Sequence, residues 1–147
     1  MADLTFPRLG DIDPGSPPTR SANKTAVSIT AGQVLRPTNT VTPNALVVAG
    51  AADVGPFFVA AFDAASGDIT VAVAEPDAVV TVKANAAIQP YSKVVADASG
   101  TVKAATNETF DKVVGFYIGH PGENTGTVVP TAAAQNDLIR IQLGGGF

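Results

Sequence analysis

The stretch that decides the fold is AAIQPYSKVVADASGTVKAA, residues 86–105. It predicts a β-hairpin, because two short runs rich in valine and alanine flank the turn residues Ser99 and Gly100. The stretch holds no set of side chains suited to nucleophilic, metal-binding or phosphate-binding chemistry. A hairpin of this kind contributes rigidity to a β body rather than a reaction centre.

The rest of the chain has a similar pattern. Its 147 residues suit one domain, and 14 glycines and 11 prolines divide it into short segments without a long 3.6-residue apolar period. Strands are predicted at 25–30, 33–36, 45–49, 57–63, 69–73, 80–83, 112–118 and 138–143. The sequence therefore predicts an all-β fold, a small β-barrel or β-sandwich of short strands.

Alternation of apolar and polar residues predicts which side chains share a strand face. Five such sets are predicted: Val27 with Ile29; Phe58 with Ala60 and Phe62; Ile69 with Val71 and Val73; Val80 with Val82, opposite Thr81 and Lys83; and Ile139 with Ile141 and Leu143. The 45–49 run is apolar throughout and suits a strand buried on both faces. These sets are expected to form a core of mostly small side chains.

Residues 1–24 are predicted to form an extended N-terminal arm, and residues 25–147 the β domain. The arm contains four prolines, which restrict strand pairing because proline lacks a backbone N–H. It also contains an apolar cluster, namely Leu4, Phe6, Leu9 and Ile12. Such a cluster would suit docking on a neighbouring molecule.

Charge is distributed unevenly along the chain. The formal net charge is −4, which argues against nucleic acid as a partner. Residues 14–52 nevertheless contain no acidic residue, while Arg20, Lys24 and Arg36 lie there. This segment is either a solvated surface or a contact for an acidic partner.

The sequence offers no signal for secretion or membrane insertion. The N-terminus lacks a basic start followed by an apolar run, and no segment approaches the roughly 18 apolar residues of a membrane span. Cysteine is absent, so disulfides and thiolate sites are excluded. We expect a soluble protein that is synthesised in a host cytoplasm and has no membrane partner.

The chain also lacks a convincing reaction centre. Its single histidine, His120, lies in the turn-like sequence GHPG, and we interpret it as a loop residue. Three carboxylate pairs fall at predicted turns, where acidic residues are common: Asp63 with Asp68, Glu75 with Asp77, and Glu108 with Asp111. We therefore predict no enzymatic activity, no metal and no cofactor.

Several segments together resemble a known family. These are TAGQVL at 30–35, FVAAF at 58–62, the 86–105 stretch, VVG at 113–115 and LIRIQL at 138–143. In this order they are similar to the capsid cement or head decoration proteins of tailed bacteriophages. The resemblance implies a β-rich homotrimer on the outer capsid surface of the virion, where it binds neighbouring major capsid proteins and stabilises the expanded shell without catalysis.

Two sets of residues are predicted to carry these contacts. Capsid binding is assigned to Leu4, Phe6, Leu9, Arg20, Lys24 and Arg36, through apolar anchoring and pairing with capsid carboxylates. Self-association is assigned to Phe57 and Phe110. The alternative function is a receptor- or glycan-binding β module of a virion fibre or tail. Such modules display aromatic platforms, for which this chain supplies Tyr91 and Tyr117 and no tryptophan.

Overall fold

The computed structural model describes residues 9–10, 21–38, 45–51, 53–73, 76–124 and 126–144. These residues form ten strands: β1 Ser21–Lys24, β2 Val34–Thr38, β3 Ala45–Val48, β4 Phe58–Ala60, β5 Ile69–Val73, β6 Val79–Lys83, β7 Lys93–Ala96, β8 Val102–Ala104, β9 Val113–Gly119 and β10 Leu138–Leu143. Two short 3-10 turns, Ala98–Gly100 and Phe110–Lys112, are the helical elements of the described ranges. The predicted all-β fold is confirmed.

The strands form two five-stranded antiparallel sheets with the same topology. The first sheet has the order β1-β5-β4-β2-β3, and the second has the order β6-β10-β9-β7-β8. Each strand of the second sheet therefore corresponds to the strand of the first sheet whose number is lower by five, so that β6 corresponds to β1 and β10 to β5. The protein consists of two structural repeats, which we call the first repeat (21–73) and the second repeat (79–143).

The backbone hydrogen bonds outside the strands repeat as well. Ile29 and Ala64 exchange two backbone bonds with N···O distances of 2.8 and 2.9 Å. Ile88 and Ala133 exchange the corresponding two, at 3.1 and 2.8 Å. This agreement extends the duplication from strand order to individual residues.

The two repeats differ most after their fourth strands. Ala60 in β4 and Tyr117 in β9 are equivalent, since the backbone N–H groups of Gly32 and Tyr91 donate to their carbonyls at 2.8 and 2.7 Å. In the first repeat the next residue in a β-bridge, Ala64, follows four residues after Ala60. The second repeat carries additional chain at this point, residues 120–132, which we call the His120 insert.

Five equivalent positions form the interior of each repeat. In the first repeat they are Ile29, Leu35, Leu46, Ala60 and Ala72. In the second repeat they are Ile88, Val94, Val102, Tyr117 and Ile141. All ten side chains are buried, and the alanines of the first repeat correspond to tyrosine and isoleucine in the second. The interior of the second repeat is therefore the larger apolar core.

The two repeats do not meet through equivalent faces. Val34 and Val59 form a cross-strand pair on the face of the first sheet opposite to Leu35, and both belong to the main core with second-repeat residues. The equivalent pair in the second sheet, Lys93 and Phe116, is exposed to solvent. At Val34 and Val59 the first sheet is thus buried on both faces, whereas the equivalent positions of the second sheet are open to solvent.

The predicted hairpin around Ser99 and Gly100 is present as β7 and β8. Its tip contacts the first repeat, because the side-chain amide of Gln33 donates to the Ser99 carbonyl at 3.1 Å. The Gly100 N–H donates to the carbonyl of Ala49, also at 3.1 Å. The hairpin therefore helps to join the repeats.

The predicted side-chain orientations in the first repeat were partly wrong. Residues 25–30 form isolated bridges at Thr25 and Ile29 instead of a strand, and Val27 is exposed. In β5 the buried residues are Thr70 and Ala72, while Ile69 is 66% exposed. The inward-facing side chains described in β5 are small, so the apolar alternation indicates the wrong face of this strand. Phe62 is also exposed, since β4 ends at Ala60.

Replacing Thr70 by valine is expected to raise the free energy of unfolding by about 1 kcal/mol, because the buried hydroxyl has no hydrogen-bond partner in the described structure. Urea denaturation measures the change. The matched variant Thr25→Val should destabilise by a similar amount, since the Thr25 hydroxyl donates to the carbonyls of Ala65 and Asp68 at 2.8 and 3.0 Å. A similar loss of unfolding free energy in both variants would contradict the assignment of the Thr70 hydroxyl as a buried group without a partner.

Candidate functional site

The described part of the predicted arm lies against the β domain at two places. Ser21–Lys24 forms β1 and pairs with β5. Leu9 borders a cavity of about 210 Å³ between the repeats, whose lining includes Gln33, Lys83 and Ser99. The predicted arm residues Leu4, Phe6 and Arg20 lie outside the described residues.

Gly10 lies close to the backbone of both repeats. Its N–H donates to the Thr81 carbonyl at 2.9 Å, and its φ of +82° is one that glycine adopts without strain. A Cβ at this position would lie 2.8 Å from the Ala60 carbonyl oxygen and 2.9 Å from that of Ala61. Glycine is therefore required where the chain passes between the repeats.

The two described basic residues of the predicted capsid contact differ in environment. Lys24 is exposed at the end of β1. Arg36 donates from Nε to Oδ2 of Asp53 at 2.9 Å, and the same oxygen accepts the Gly50 N–H at 2.7 Å. The Arg36 guanidinium thus has an acidic partner within its own chain and helps to close the loop after β3.

The two phenylalanines predicted for self-association also differ. Phe57 is 3% exposed and belongs to the main core, so it is not available at the surface. The prediction failed here because the loop before β4 lies between the repeats. Phe110 is 61% exposed, and Val54 is 47% exposed. A hydrogen bond from the Gly55 N–H to the Asp111 carbonyl, at 2.9 Å, holds their two loops together.

His120 lies in a cluster of polar groups that the sequence did not predict. Its Nδ1 is 3.0 Å from Oε1 of Glu123, and its Nε2 is 2.8 Å from Oδ2 of Asp137. The Tyr117 hydroxyl lies 3.2 Å from Nδ1 and donates to the Thr131 carbonyl at 2.6 Å. The cluster therefore joins β9, the His120 insert and the start of β10.

Backbone groups hold the two carboxylates in place. Glu123 accepts the His120 N–H at 2.7 Å and the Thr131 hydroxyl at 2.8 Å. These bonds, that of the His120 N–H above all, lower the pKa of Glu123 to about 2. Asp137 accepts the Ala134 N–H at 2.8 Å, and this bond together with the His120 ring lowers its pKa as well.

Two effects oppose each other at His120. Burial lowers the pKa of the imidazole, since the charged ring is partly removed from water. The hydrogen bonds and negative charges of Asp137 and Glu123 outweigh burial, so that the pKa lies above its usual 6.5. Burial, and then the same two carboxylates, raises the pKa of Tyr117 to about 12. The tyrosine therefore stays neutral over the range in which His120 titrates.

The bonds of this cluster hold the two ends of the His120 insert together. Both ring nitrogens of His120 are occupied by carboxylates, so neither is free to take a proton from a nucleophile. The Thr131 hydroxyl donates to Glu123 at 2.8 Å and lies 3.3 Å from Nδ1 of His120. Within the described residues, no group of His, Cys, Asp or Glu side chains could hold a metal ion. The described helices include none long and apolar enough to cross a membrane.

A signal for this cluster, and for the duplication, is present in the sequence. AASGDI at 64–69 corresponds to AAQNDL at 133–138, which places Asp68 and Asp137 at equivalent positions. The backbone agrees, since the Asp68 and Asp137 carbonyls accept the N–H groups of Thr25 and Ala84 at 2.8 and 3.0 Å. Aligning these two hexapeptides would have revealed the repeats and the additional residues before the second of them.

No family model and no curated protein matches this chain. Among solved structures, the chain is similar to the head fiber gp8.5 N base in bacteriophage phi29. The TM-score is 0.62 at 14% sequence identity, and the match covers 86% of this chain and 93% of that chain. At this level of identity the likeness establishes a shared fold over nearly the whole of both chains.

Proposed function

We propose that this chain is a structural protein of a phage virion, which binds the outer surface of the capsid, contacts neighbouring major capsid proteins as a homotrimer and stabilises the expanded shell. The observation that carries the proposal is the fold shared with a phage head fiber base over 86% of the chain. The resemblance of the sequence to capsid cement proteins points to the same part of the virion.

The described surface supports a binding role. Its most tightly connected polar cluster fixes a loop, and its exposed apolar side chains include Phe110 and Val54 on adjoining loops. Leu4 and Phe6 would anchor the N-terminal arm on the capsid, and Arg20 and Lys24 would pair with capsid carboxylates. Arrays of such contacts bind strongly because each trimer presents several at once.

The same structural likeness favours a second candidate, a receptor- or glycan-binding module of a virion fibre. The matching protein is described as a head fiber base. Tyr91 is 59% exposed and could stack against a sugar ring. A screen of immobilised glycans separates the candidates, since specific glycan binding without capsid binding would replace the first proposal with this one.

Co-sedimentation with matching capsids, before and after shell expansion, tests the capsid proposal. The full chain should sediment with expanded capsids. A chain lacking residues 1–8 should remain folded, because Leu9, Gly10 and β1 are retained, and should lose at least tenfold in capsid affinity as its apolar anchors are removed. Circular dichroism checks that the shortened chain is folded. Undiminished binding by this variant would exclude Leu4 and Phe6 from the contact.

Replacing Phe110 by serine is expected to weaken self-association. The change removes the larger of the two exposed apolar side chains, Phe110 and Val54, on the adjoining loops. Sedimentation velocity at micromolar concentration should show a shift from trimer towards monomer. Phe62→Ser is the matched control, since Phe62 is 63% exposed and Phe110 is 61% exposed. A shift caused by the Phe62 variant alone would place the trimer contact elsewhere.

A further inference from the structure

We propose that His120 is a pH-sensitive clamp, which holds the His120 insert against the second repeat while the imidazole is charged and releases the insert when the ring loses its proton. The inference is independent of the proposed function, because it concerns the conformation of one loop. It rests on the arrangement of three side chains and on a comparison between the two repeats.

The geometry favours a charged ring. Carboxylate oxygens of Glu123 and Asp137 lie 3.0 and 2.8 Å from the two ring nitrogens of His120. An imidazolium donates a hydrogen bond from each nitrogen, whereas a neutral imidazole donates from one and presents a lone pair at the other. A neutral ring would therefore lose one of the two charge-assisted bonds and direct a lone pair at a carboxylate.

The clamp connects the two ends of the insert. His120 and Glu123 lie at its start, Thr131 near its end, and Asp137 immediately before β10. Thr131 adds two further bonds to Glu123, from its hydroxyl at 2.8 Å and its N–H at 3.2 Å. Loss of the His120 bonds would thus weaken the closure of the whole loop, including the exposed Val129.

The first repeat lacks the clamp at the equivalent position. Its Asp68 is equivalent to Asp137, but no insert is present there, and His120 is the single histidine of the chain. The first repeat closes the corresponding turn without an ionisable ring. The histidine and the additional chain therefore occur together, in one repeat of the two.

The charged and titratable groups around the ring favour the imidazolium. Tyr117 faces it from β9, Glu123 from the insert and Asp137 from the approach to β10. Arg140 on β10 donates to the backbone carbonyl of Glu123 and is the opposing cation in this set. Two carboxylates in direct contact with the ring outweigh one guanidinium that is bonded to a carbonyl.

The pH range follows from the direction of each shift. Because the folded-state pKa of His120 is raised, its contribution is fully present below about 6.5 and is lost as the pH rises through the raised value. Glu123 and Asp137 have lowered pKa values, so their contributions are present above 4.5 and 3.8 and are lost as the pH falls through the folded-state values. The clamp is therefore closed at mildly acidic pH and opens on the alkaline side.

Nuclear magnetic resonance of the full chain tests this proposal. The His120 ring is titrated through its Cε1–H signal, and amide exchange of residues 120–132 is measured between pH 5 and 10 and corrected for intrinsic rates. Because opening is coupled to the release of one proton, the corrected opening of the insert should rise by up to about tenfold per pH unit between about pH 6.5 and the raised His120 midpoint, and level off above it. Corrected exchange that does not change while the ring titrates, or a midpoint below 6.5, would overturn the clamp.

Two variants and one control complete the experiment. His120→Gln should open the insert and remove its pH dependence. Asp137→Asn should lower the His120 midpoint and the pH at which the insert opens, while the equivalent change in the first repeat, Asp68→Asn, should leave both unchanged. Equal effects of the two Asp→Asn variants would indicate general destabilisation and overturn the clamp. The wild-type titration and the Asp137 variant keep the test decisive if the glutamine variant does not fold.

Discussion

Replacing Gly115 by alanine is expected to lower the free energy of unfolding by about 3 kcal/mol, at the upper end of the range for overpacking. A Cβ on Gly115 would lie 2.2 Å from the Gln142 carbonyl oxygen and 3.1 Å from the Leu143 Cα. Both atoms belong to the backbone of β10, so no side-chain rotation can make room. β9 would have to move, and it is held between β7 and β10.

Urea denaturation measures this loss, which is a large part of the 5–15 kcal/mol that usually stabilises a domain. Gly50→Ala is the matched control. The nearest atom to a Cβ on Gly50 is Oδ2 of Asp53 at 3.8 Å, an ordinary contact distance, so this variant should change stability by less than about 0.5 kcal/mol. Equal stability of the two alanine variants would show that β9 and β10 are farther apart than described.

The second large effect is expected at Tyr117, the largest fully buried side chain among the described residues. Tyr117→Ala should cost about 3–5 kcal/mol, since it removes an aromatic ring from the main core and leaves a cavity. Tyr117→Phe keeps the ring and removes the hydroxyl that donates to the Thr131 carbonyl at 2.6 Å. It should cost about 1 kcal/mol.

The comparison of these two variants separates packing from hydrogen bonding. Both free energies are obtained from urea denaturation at pH 6, where the His120 clamp is expected to be closed. The phenylalanine variant should also increase amide exchange in the His120 insert, because it loses the hydrogen bond from the Tyr117 hydroxyl to the Thr131 carbonyl. A phenylalanine variant as unstable as the alanine variant would place the main contribution of Tyr117 in its hydroxyl and contradict the packing argument.

The second repeat was predicted better than the first, although Thr81 and Arg140, which alternation places on the polar faces of their strands, are buried. In β7 and β8 the turn residues and the valines predict the observed hairpin, and in β10 Ile139, Ile141 and Leu143 are all buried, as their spacing predicts. The first repeat was predicted less well. In β5 the inward-facing residues include Thr70 and Ala72, so the face of Ile69 could not be assigned from apolar alternation.

The polar cluster was missed for a different reason. His120, Glu123 and Asp137 are close in sequence, but each lies in a segment that resembles an ordinary turn. They meet because the insert folds back on β9 and β10, which pattern reasoning does not describe. Phe57 was assigned to the surface for a related reason, since its burial depends on how the two repeats pack.

The unequal contact between the repeats leaves equivalent faces of the two sheets in different environments. Val34 and Val59 are covered by the second repeat, while Lys93 and Phe116 occupy the same positions on a face that water reaches. A third repeat could pack on that face only by burying the Lys93 ammonium, which is costly without a partner. A single lysine in β7 thus makes this face unfavourable for the packing of a further sheet.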